Sequence, residues 1–179
     1  YAVNSWGPYY FEAAKGYTWT QANSLVAISA GCGILGTASS GFVSDKFFKG
    51  RRNAPALIFG LMNVFALCLF LLGPKDTWWL DAISMVIFGL GIGALICYLG
   101  GLMAVDIASK KASGAALGIV GIMSYAAAGI QDIASGYLIE NNKTIVNGHT
   151  IYNFDTITFF WIGAAVLSVV LALFVWKKT

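Results

Sequence analysis

The chain has 179 residues, of which 58% are hydrophobic and 11% charged, and its formal net charge is +3 at pH 7. Its mean hydropathy is +0.74, whereas soluble domains carry about 25% charged residues. So few charges do not cover a soluble surface, which excludes a cytosolic enzyme, a nucleic-acid-binding protein and a disordered tail. The composition predicts a protein embedded in the lipid bilayer.

The apolar residues form long continuous segments, which predict transmembrane helices rather than the alternating strands of a barrel. Since about 20 residues are needed to cross about 30 Å of hydrocarbon, the predicted spans are residues 22–43, 54–72, 79–105, 112–139 and 156–176. Residues 1–11 are too short to cross and fit the end of a helix that begins upstream, with Trp6, Tyr9 and Tyr10 at the membrane interface. We therefore predict an all-α, polytopic helical bundle, residues 1–179, with one partial and five complete spans, as part of a longer protein.

The basic residues alternate between the two sides of these spans. Eight of the eleven Lys and Arg residues lie in residues 44–53, in residues 106–111 or at the C-terminus, as Lys177 and Lys178. The loops on the other side contain Lys15, Lys75 and Lys143. Because cytoplasmic loops are enriched in Lys and Arg, we predict that the loops 44–53 and 106–111 and the C-terminus are cytoplasmic.

Residues 140–153, on the other side, have the pattern of a β-hairpin. Asn147-Gly148 favours a two-residue type I′ turn, and the residues that flank it, which include His149, have strand character.

Several small or reactive side chains lie within the apolar segments. The three cysteines, Cys32, Cys68 and Cys97, have no metal-ligand spacing, and the sequence offers no nucleophile–base pair, so we expect no metal, no cofactor and no enzymatic activity. Glycines at positions 31, 33, 36 and 41, and at 114 and 118, are predicted to be helix-packing surfaces.

Two predicted spans on the basic side are joined by residues 41–52, GFVSDKFFKGRR. A plain basic loop explains Lys46, Arg51 and Arg52, but it does not explain Gly41 or Asp45. An acidic residue at the C-terminal end of a helix is poorly placed against the helix dipole. Asp45 therefore needs a basic partner or the N-terminus of another helix.

Residues 41–52 resemble the G-x-x-x-D-[RK]…G-[RK]-[RK] loop that joins helices two and three in each half of major facilitator superfamily transporters. The additional residues after Asp45 resemble the variant found in the organophosphate:phosphate antiporters, which include bacterial glycerol-3-phosphate and hexose-6-phosphate carriers and their sensor relatives. Residues 6–10, WGPYY, resemble that family's W-x-P-x-Y at the outer end of helix seven. Residues 106–118, DIASKKASGAALG, resemble its entry to helix eleven, and Ser124-Tyr125 follows as expected.

The resemblance covers the whole chain and implies the C-terminal six-helix half of the fold, in the bacterial inner membrane, with helix seven truncated and helices eight to twelve complete. Its partner would be the N-terminal half of the same transporter. The chain departs from the family in helix ten, where Ala94-Leu95-Ile96 replaces Tyr-Gly-Pro. Tyr98 lies one turn further along the same face, in a position to replace the missing phenol. The basic residue that the family uses in helix seven would fall immediately before Tyr1.

The resemblance implies exchange of a phosphorylated sugar or glycerol phosphate for inorganic phosphate by alternating access. Two alternatives remain, a membrane sensor of hexose phosphate and a carrier of an unphosphorylated solute. A phosphate monoester is a dianion that needs Arg or Lys in the cavity, yet none lies within the five complete predicted spans. We therefore expect the N-terminal half to supply the cations for the organic and inorganic phosphate ligands, and this half to supply a neutral wall.

The candidate substrate-facing residues are Tyr125 and Asp132 on one face of helix eleven, together with Gln131, Tyr98 and Tyr10. An acid inside a span costs about 2.5–3.5 kcal/mol on insertion scales unless it is paired or solvated. Asp132 is expected to pair with a cation of the other half, to gate the outer side or to carry a proton. The alternative is a structural acid held by hydrogen bonds. Because an acid repels phosphate, contact with substrate hydroxyls or with a binding-site base is favoured.

The candidate gating residues are Asp45, Lys46, Arg51 and Arg52. Asp45 is predicted to lie near the N-terminus of helix eleven, at residues 112–113, when the carrier is closed to the cytoplasm, and opening would break this contact. Asp81, near the start of helix ten, is explained by the dipole of its own helix.

Overall fold

The computed structural model describes residues 1–146 and 149–175. The helices are α1 (Ala2–Ala13), α2 (Trp19–Phe48), α3 (Asn53–Leu72), α4 (Trp78–Cys97), α5 (Met103–Ile107), α6 (Ser113–Asn141) and α7 (Asp155–Val175). A π-helical turn, Tyr98–Leu102, joins α4 to α5, and strands β1 (Lys143–Val146) and β2 (His149–Tyr152) form an antiparallel hairpin. Five helical segments in the described residues are long and apolar enough to cross a membrane, with α4, the π-helical turn and α5 counted as one. The predicted all-α membrane bundle is confirmed.

The largest difference between a predicted span and the observed helix is in α2. Thr18 caps the helix by accepting a hydrogen bond from the Gln21 backbone, and the Gln21 side chain accepts one from the Thr18 backbone. The helix continues to Phe48 and ends where Lys49 adopts a left-handed conformation with φ 53°. The apolar pattern predicted only residues 22–43, because it detects the membrane interior, whereas backbone caps determine where a helix ends.

The other spans begin and end close to the predicted residues. The helical segment that contains α4 and α5 runs from Trp78 to Ile107, and α6 extends two residues beyond the predicted span. The last predicted span included residue 176, which lies outside the described residues, as do Lys177 and Lys178. Val146 pairs with His149 across the hairpin, although the predicted turn residues 147–148 are themselves outside the described part.

Two ends of the bundle are distinguished by their loops. The basic-loop end comprises residues 49–52 and 108–112, and the hairpin end comprises residues 14–18, 73–77, 142–146 and 149–154. An aromatic core lies towards the hairpin end, where Tyr10, Phe11 and Phe70 are buried against residues of α7 and the segment that precedes it.

Helices α2 and α4 touch through their backbones. A Cβ atom at Gly93 would lie 2.0 Å from the Gly33 carbonyl oxygen, and one at Gly36 would lie 2.2 Å from the Leu90 carbonyl oxygen. The Thr37 hydroxyl donates a hydrogen bond to the Gly93 carbonyl at 3.0 Å, across the two helices. Of the predicted packing glycines, 33 and 36 therefore lie in this interface, whereas 31, 41, 114 and 118 have open space around their missing side chains.

Among the five spanning segments in the described residues, α6 is covered least. Of its 29 residues, all of which are described, only Ala128, Ser135 and Ile139 are buried. These three lie on one narrow stripe, which leaves most of the circumference of α6 open.

Candidate functional site

At the basic-loop end, Arg52 connects two acidic side chains from different helices. Its Nη1 atom donates to Asp45 Oδ1 at 3.1 Å and to the Ser44 hydroxyl at 2.9 Å, and its Nε atom lies 3.5 Å from Asp106 Oδ2. The Ser44 hydroxyl donates to the Arg51 carbonyl at 3.2 Å. The carbonyl of buried Ser44 accepts hydrogen bonds from the backbone N–H groups of residues 49 and 50, so Ser44 holds the turn that positions Arg52.

The predicted gating residues are thus only partly brought together. The dipole argument requires a partner for Asp45, and the structure provides Arg52 at the start of α3. The N-terminus of α6 is not that partner. Lys46 instead lies 5.0 Å from the ring centre of Phe42, and Arg51 is exposed and joins the cluster through its carbonyl group. Sequence reasoning did not single out Ser44 or pair Asp106 with Arg52, because both contacts depend on how the loop closes.

This cluster is weak enough to open and close. The Asp45 side chain is 67% exposed and the Arg52 side chain 20% exposed. Ion pairs with such exposure contribute about 0.2–1 kcal/mol each, so thermal motion breaks them readily.

The second candidate site is the seam between α1 and α6, which we define by three contacts. The rings of Tyr1 and Tyr125 lie 5.8 Å apart, the Ser5 hydroxyl donates to Asp132 Oδ2 at 3.2 Å, and the Trp6 ring approaches Gly136, where a Cβ atom would lie 3.4 Å from it. The two helices run in the same direction along this α1–α6 seam, because residues further along α1 contact residues further along α6.

Asp132 is the charged group of the α1–α6 seam. It lies nine residues before the end of α6, or about 13 Å from the hairpin end at 1.5 Å per residue. Its side chain is half-buried, and its second oxygen, Oδ1, is buried without a hydrogen-bond partner among the described residues. Tyr125, two turns earlier, is 71% exposed. The predicted pair Tyr125 and Asp132 therefore shares one accessible strip of α6.

Gln131 does not share this strip. Its side-chain amide donates to the Ser135 hydroxyl at 2.9 Å, and Trp161 of α7 donates to the same hydroxyl at 3.0 Å. Adjacent residues of a helix point about 100° apart, so Gln131 faces α7 while Asp132 faces α1. The structure therefore does not bring Gln131 to the strip of Tyr125 and Asp132, and its assignment to the substrate cavity stays a prediction.

The two tyrosines predicted to complete the substrate cavity are buried in contacts within the bundle. The Tyr98 hydroxyl donates to the Ser40 carbonyl at 2.6 Å, and its side chain is fully buried at the start of the π-helical turn. The Tyr10 hydroxyl donates to the Leu71 carbonyl at 2.9 Å. Tyr10 does line a cavity of about 550 Å³, but this cavity lies at the hairpin end between α1, α3 and α7. Neither tyrosine faces the α1–α6 seam, because each hydroxyl satisfies a helix carbonyl.

A buried charge cluster at the hairpin end was missed by the sequence analysis. The Lys15 Nζ atom lies 2.5 Å from Asp81 Oδ1, and the Tyr17 hydroxyl donates to Asp81 Oδ2 at 2.7 Å. Burial and the hydrogen bond to Asp81 raise the pKa of the Tyr17 phenol above its ordinary value. Asp81 does lie in the first turn of α4, as the dipole argument states, but its main partners come from the segment between α1 and α2. The only sign of this cluster in the sequence is an acid, Asp81, just inside an apolar span, because its partner Lys15 is 66 residues away.

Comparison with known proteins gives the family. Residues 1–131 match the family model described as Major Facilitator Superfamily. The chain is 36% identical over 126 residues to the glycerol-3-phosphate transporter of Bacillus subtilis (strain 168), a match that covers 70% of this chain and 28% of that protein. It is 32% identical over 126 residues to the probable hexose phosphate transport protein of Chlamydia trachomatis, covering 69% of this chain and 27% of that protein.

A third relative has a different role. The chain is 29% identical over 129 residues to the membrane sensor protein UhpC of Escherichia coli (strain K12), covering 72% of this chain and 29% of that protein. The chain thus spans less than a third of the length of these curated relatives. The names of the three relatives agree with the resemblance that the three sequence motifs indicated. Because the family model matches most of its residues, the chain belongs to the Major Facilitator Superfamily.

Proposed function

We propose that the chain is the C-terminal half of a secondary transporter that exchanges an organic phosphate for inorganic phosphate by alternating access. The observation that carries the proposal is the open strip of α6 with Tyr125 and Asp132, in a chain whose relatives are named for glycerol-3-phosphate and hexose phosphate. A strip of a membrane helix that carries a carboxylate is disfavoured against lipid, so this strip favours contact with a second helical bundle, and an N-terminal half is the partner that the family supplies. Transport of this kind involves no covalent chemistry.

The distribution of charge supports a site that is shared between two halves. The α1–α6 seam offers a carboxylate, hydroxyl groups and aromatic rings, but none of its members is Lys or Arg. A phosphate dianion binds where Arg or Lys can form charge-assisted hydrogen bonds. The cations are therefore assigned to the N-terminal half.

The two ends of the bundle differ in a way that suits alternating access. We assign the basic-loop end to the cytoplasm, because it carries most of the basic residues. There, the partly exposed Arg52–Asp45 pair breaks at smaller cost than a buried pair. At the hairpin end, the Lys15–Asp81 pair is buried and holds the connection between α1 and α2 against α4. Because Arg52, Asp45 and Asp106 all lie in this half, small shifts of its helices at the basic-loop end during alternating access would break their contacts and leave the Lys15–Asp81 pair intact.

Counterflow in proteoliposomes tests the proposal. The full-length product of the gene that encodes this chain is reconstituted into vesicles with or without internal inorganic phosphate, and uptake of labelled glycerol-3-phosphate and glucose-6-phosphate is measured. The proposal predicts uptake of at least one of them into loaded vesicles and none above background into empty vesicles. Equal uptake into vesicles with and without internal phosphate would contradict exchange.

A sensor is the second candidate, because one relative of similar identity is a membrane sensor. A sensor binds the organic phosphate in detergent micelles but does not carry it into loaded vesicles. A carrier of an unphosphorylated solute, the third candidate, binds neither organic nor inorganic phosphate. Equilibrium binding measured beside counterflow therefore separates the three.

A further inference from the structure

We infer that the cavity at the hairpin end binds a phospholipid whose headgroup carries a phosphate and a primary ammonium, as in phosphatidylethanolamine. The cavity has a volume of about 550 Å³ and lies between α1, α3 and α7. Ligand sites commonly measure about 300–1,000 Å³, so this cavity has room for a lipid headgroup. The inference goes beyond the exchange activity proposed above, because it concerns a different surface of the bundle.

The buried part of the cavity lining satisfies its own polar groups. The Tyr10 hydroxyl donates to the Leu71 carbonyl, and the Lys15 ammonium, on a side chain that is 2% exposed, is paired with Asp81. The hydrogen bond of Tyr10 and the charge of Lys15 are therefore already matched within the protein. A charged ligand is recruited by other residues of the lining.

Two opposite charges remain on the exposed part of the lining, which we call the rim. Lys75 lies in the turn after α3, and Asp155 is the first residue of α7; both are exposed and line the cavity. Neither side chain forms an ion pair with any residue in the described part of the chain. Asn153 orders the start of α7, because its side-chain oxygen accepts a hydrogen bond at 2.7 Å from the Asp155 backbone N–H. A cation and an acid on one rim match a ligand that carries both a phosphate and an ammonium.

Apolar side chains continue from the rim towards the middle of the spans. Leu72, which is 60% exposed, ends α3 three residues before Lys75. Phe159, which is 70% exposed, lies one turn after Asp155 on the same face of α7. The lining thus changes from charged to apolar over about 6 Å, at 1.5 Å per residue. A phospholipid changes in the same order from headgroup to acyl chain, whereas a soluble zwitterion would leave Leu72 and Phe159 uncovered.

The two rim charges have different effects on lipid recognition. A primary ammonium donates hydrogen bonds to a carboxylate, whereas the quaternary ammonium of phosphatidylcholine has no N–H group and phosphatidylglycerol has no cation. All three lipids carry the phosphate that Lys75 attracts. Lys75 therefore sets the affinity for phospholipids, and Asp155 sets the preference for phosphatidylethanolamine.

Native mass spectrometry of the full-length protein, stripped of lipid in detergent, tests this assignment. Phosphatidylethanolamine, phosphatidylcholine and phosphatidylglycerol with identical acyl chains are titrated separately. We expect the parent to bind phosphatidylethanolamine about fivefold more tightly than the other two. Lys75→Met should weaken binding of all three about fivefold, which corresponds to about 1 kcal/mol. Asp155→Asn should reduce the preference for phosphatidylethanolamine over phosphatidylglycerol to within twofold.

Lys143→Met and Asp76→Asn are the matched controls. Lys143 and Asp76 are exposed at the same end of the bundle but do not line the cavity. Asp76 has φ 63°, a conformation that Asn accepts readily. Neither control should change the affinity or the preference for any of the three lipids. Melting temperatures measured without lipid show whether each variant is folded.

Three kinds of result overturn the inference. Equal affinity of the parent for the three lipids would mean that the headgroup is not recognised. Unchanged affinity in Lys75→Met, or unchanged preference in Asp155→Asn, would place the bound lipid elsewhere on the bundle. Displacement of the lipid by soluble phosphoethanolamine at an equal concentration would assign the cavity to a soluble compound.

Discussion

The Lys15–Asp81 pair gives the most quantitative prediction about stability. Asp81 is fully buried, Lys15 is 3% exposed, and their charged atoms lie 2.5 Å apart. Lys15→Met removes the cation while keeping an unbranched apolar side chain of similar length. Asp81 then stays buried, with the Tyr17 hydroxyl as its remaining partner.

The expected cost follows from the burial of the pair. Removing one member of a buried ion pair costs about 3–5 kcal/mol, because the other charge is left uncompensated. The Tyr17 hydrogen bond and the N-terminus of α4 reduce this cost, so we expect about 3 kcal/mol. At about 2–4 °C per kcal/mol, the melting temperature should fall by about 6–12 °C. In Lys15→Met/Asp81→Asn, the amide oxygen still accepts from Tyr17 and no charge is buried, so at least half of the loss should be recovered.

Thermal unfolding in detergent can be followed with a thiol-reactive dye, since Cys32, Cys68 and Cys97 are free and half-buried. Lys75→Met is the control, because Lys75 is exposed in a loop at the same end of the bundle. Two results would refute the reasoning: a single variant as stable as the parent, or a double variant no more stable than the single variant.

Three further predictions concern separate parts of the molecule. Arg52→Gln removes both ion pairs of Arg52 at the basic-loop end; at about 0.2–1 kcal/mol each, it should lower stability by less than about 2 kcal/mol yet increase labelling of introduced cavity cysteines from the basic-loop side, and unchanged labelling would remove Arg52 from the gate. Gly93→Ala forces a Cβ atom to within 2.0 Å of a backbone oxygen of α2 and should lower the melting temperature strongly, whereas Gly31→Ala, with open space around it on α2, should not; equal effects would contradict the backbone contact. The pKa of Tyr17 is raised, so its neutral form stabilises the fold below about pH 10, and this contribution is lost as the pH rises through the elevated pKa. The difference in phenolate absorbance between the parent and Tyr17→Phe should therefore develop above about pH 10. If that difference developed at the ordinary tyrosine pKa, it would contradict the buried contact with Asp81.

The parts of the structure that depend on local pattern could be predicted from the sequence. Continuous apolar runs predicted the five spanning helices, and Asn147-Gly148 predicted a hairpin whose strands are observed on either side. The dipole argument predicted that Asp45 needs a basic partner or the N-terminus of another helix, and Arg52 is such a basic partner. In each case the relevant interaction lies within about ten residues.

The parts that depend on distant pairing could not be predicted. Lys15 and Asp81 look like a loop cation and a helix-start acid, and only folding brings them together. Tyr98 was assigned to a cavity from its place one turn beyond the family's missing tyrosine, and Tyr10 belongs to the stretch that resembles W-x-P-x-Y, but their hydroxyls donate to helix carbonyls of α2 and α3. Gln131 was grouped with Asp132 because they are adjacent in the sequence, although adjacency in a helix separates their directions.

The obligatory coupling of organic and inorganic phosphate is the central claim, and efflux tests it most directly. Proteoliposomes that contain the full-length protein are loaded with radiolabelled inorganic phosphate and diluted into buffer with or without external glycerol-3-phosphate or glucose-6-phosphate. The account predicts that labelled phosphate leaves only when an external phosphate compound is present, in fixed proportion to the organic phosphate that enters. Efflux at the same rate into buffer without any phosphate compound, or entry of organic phosphate without efflux, would contradict it.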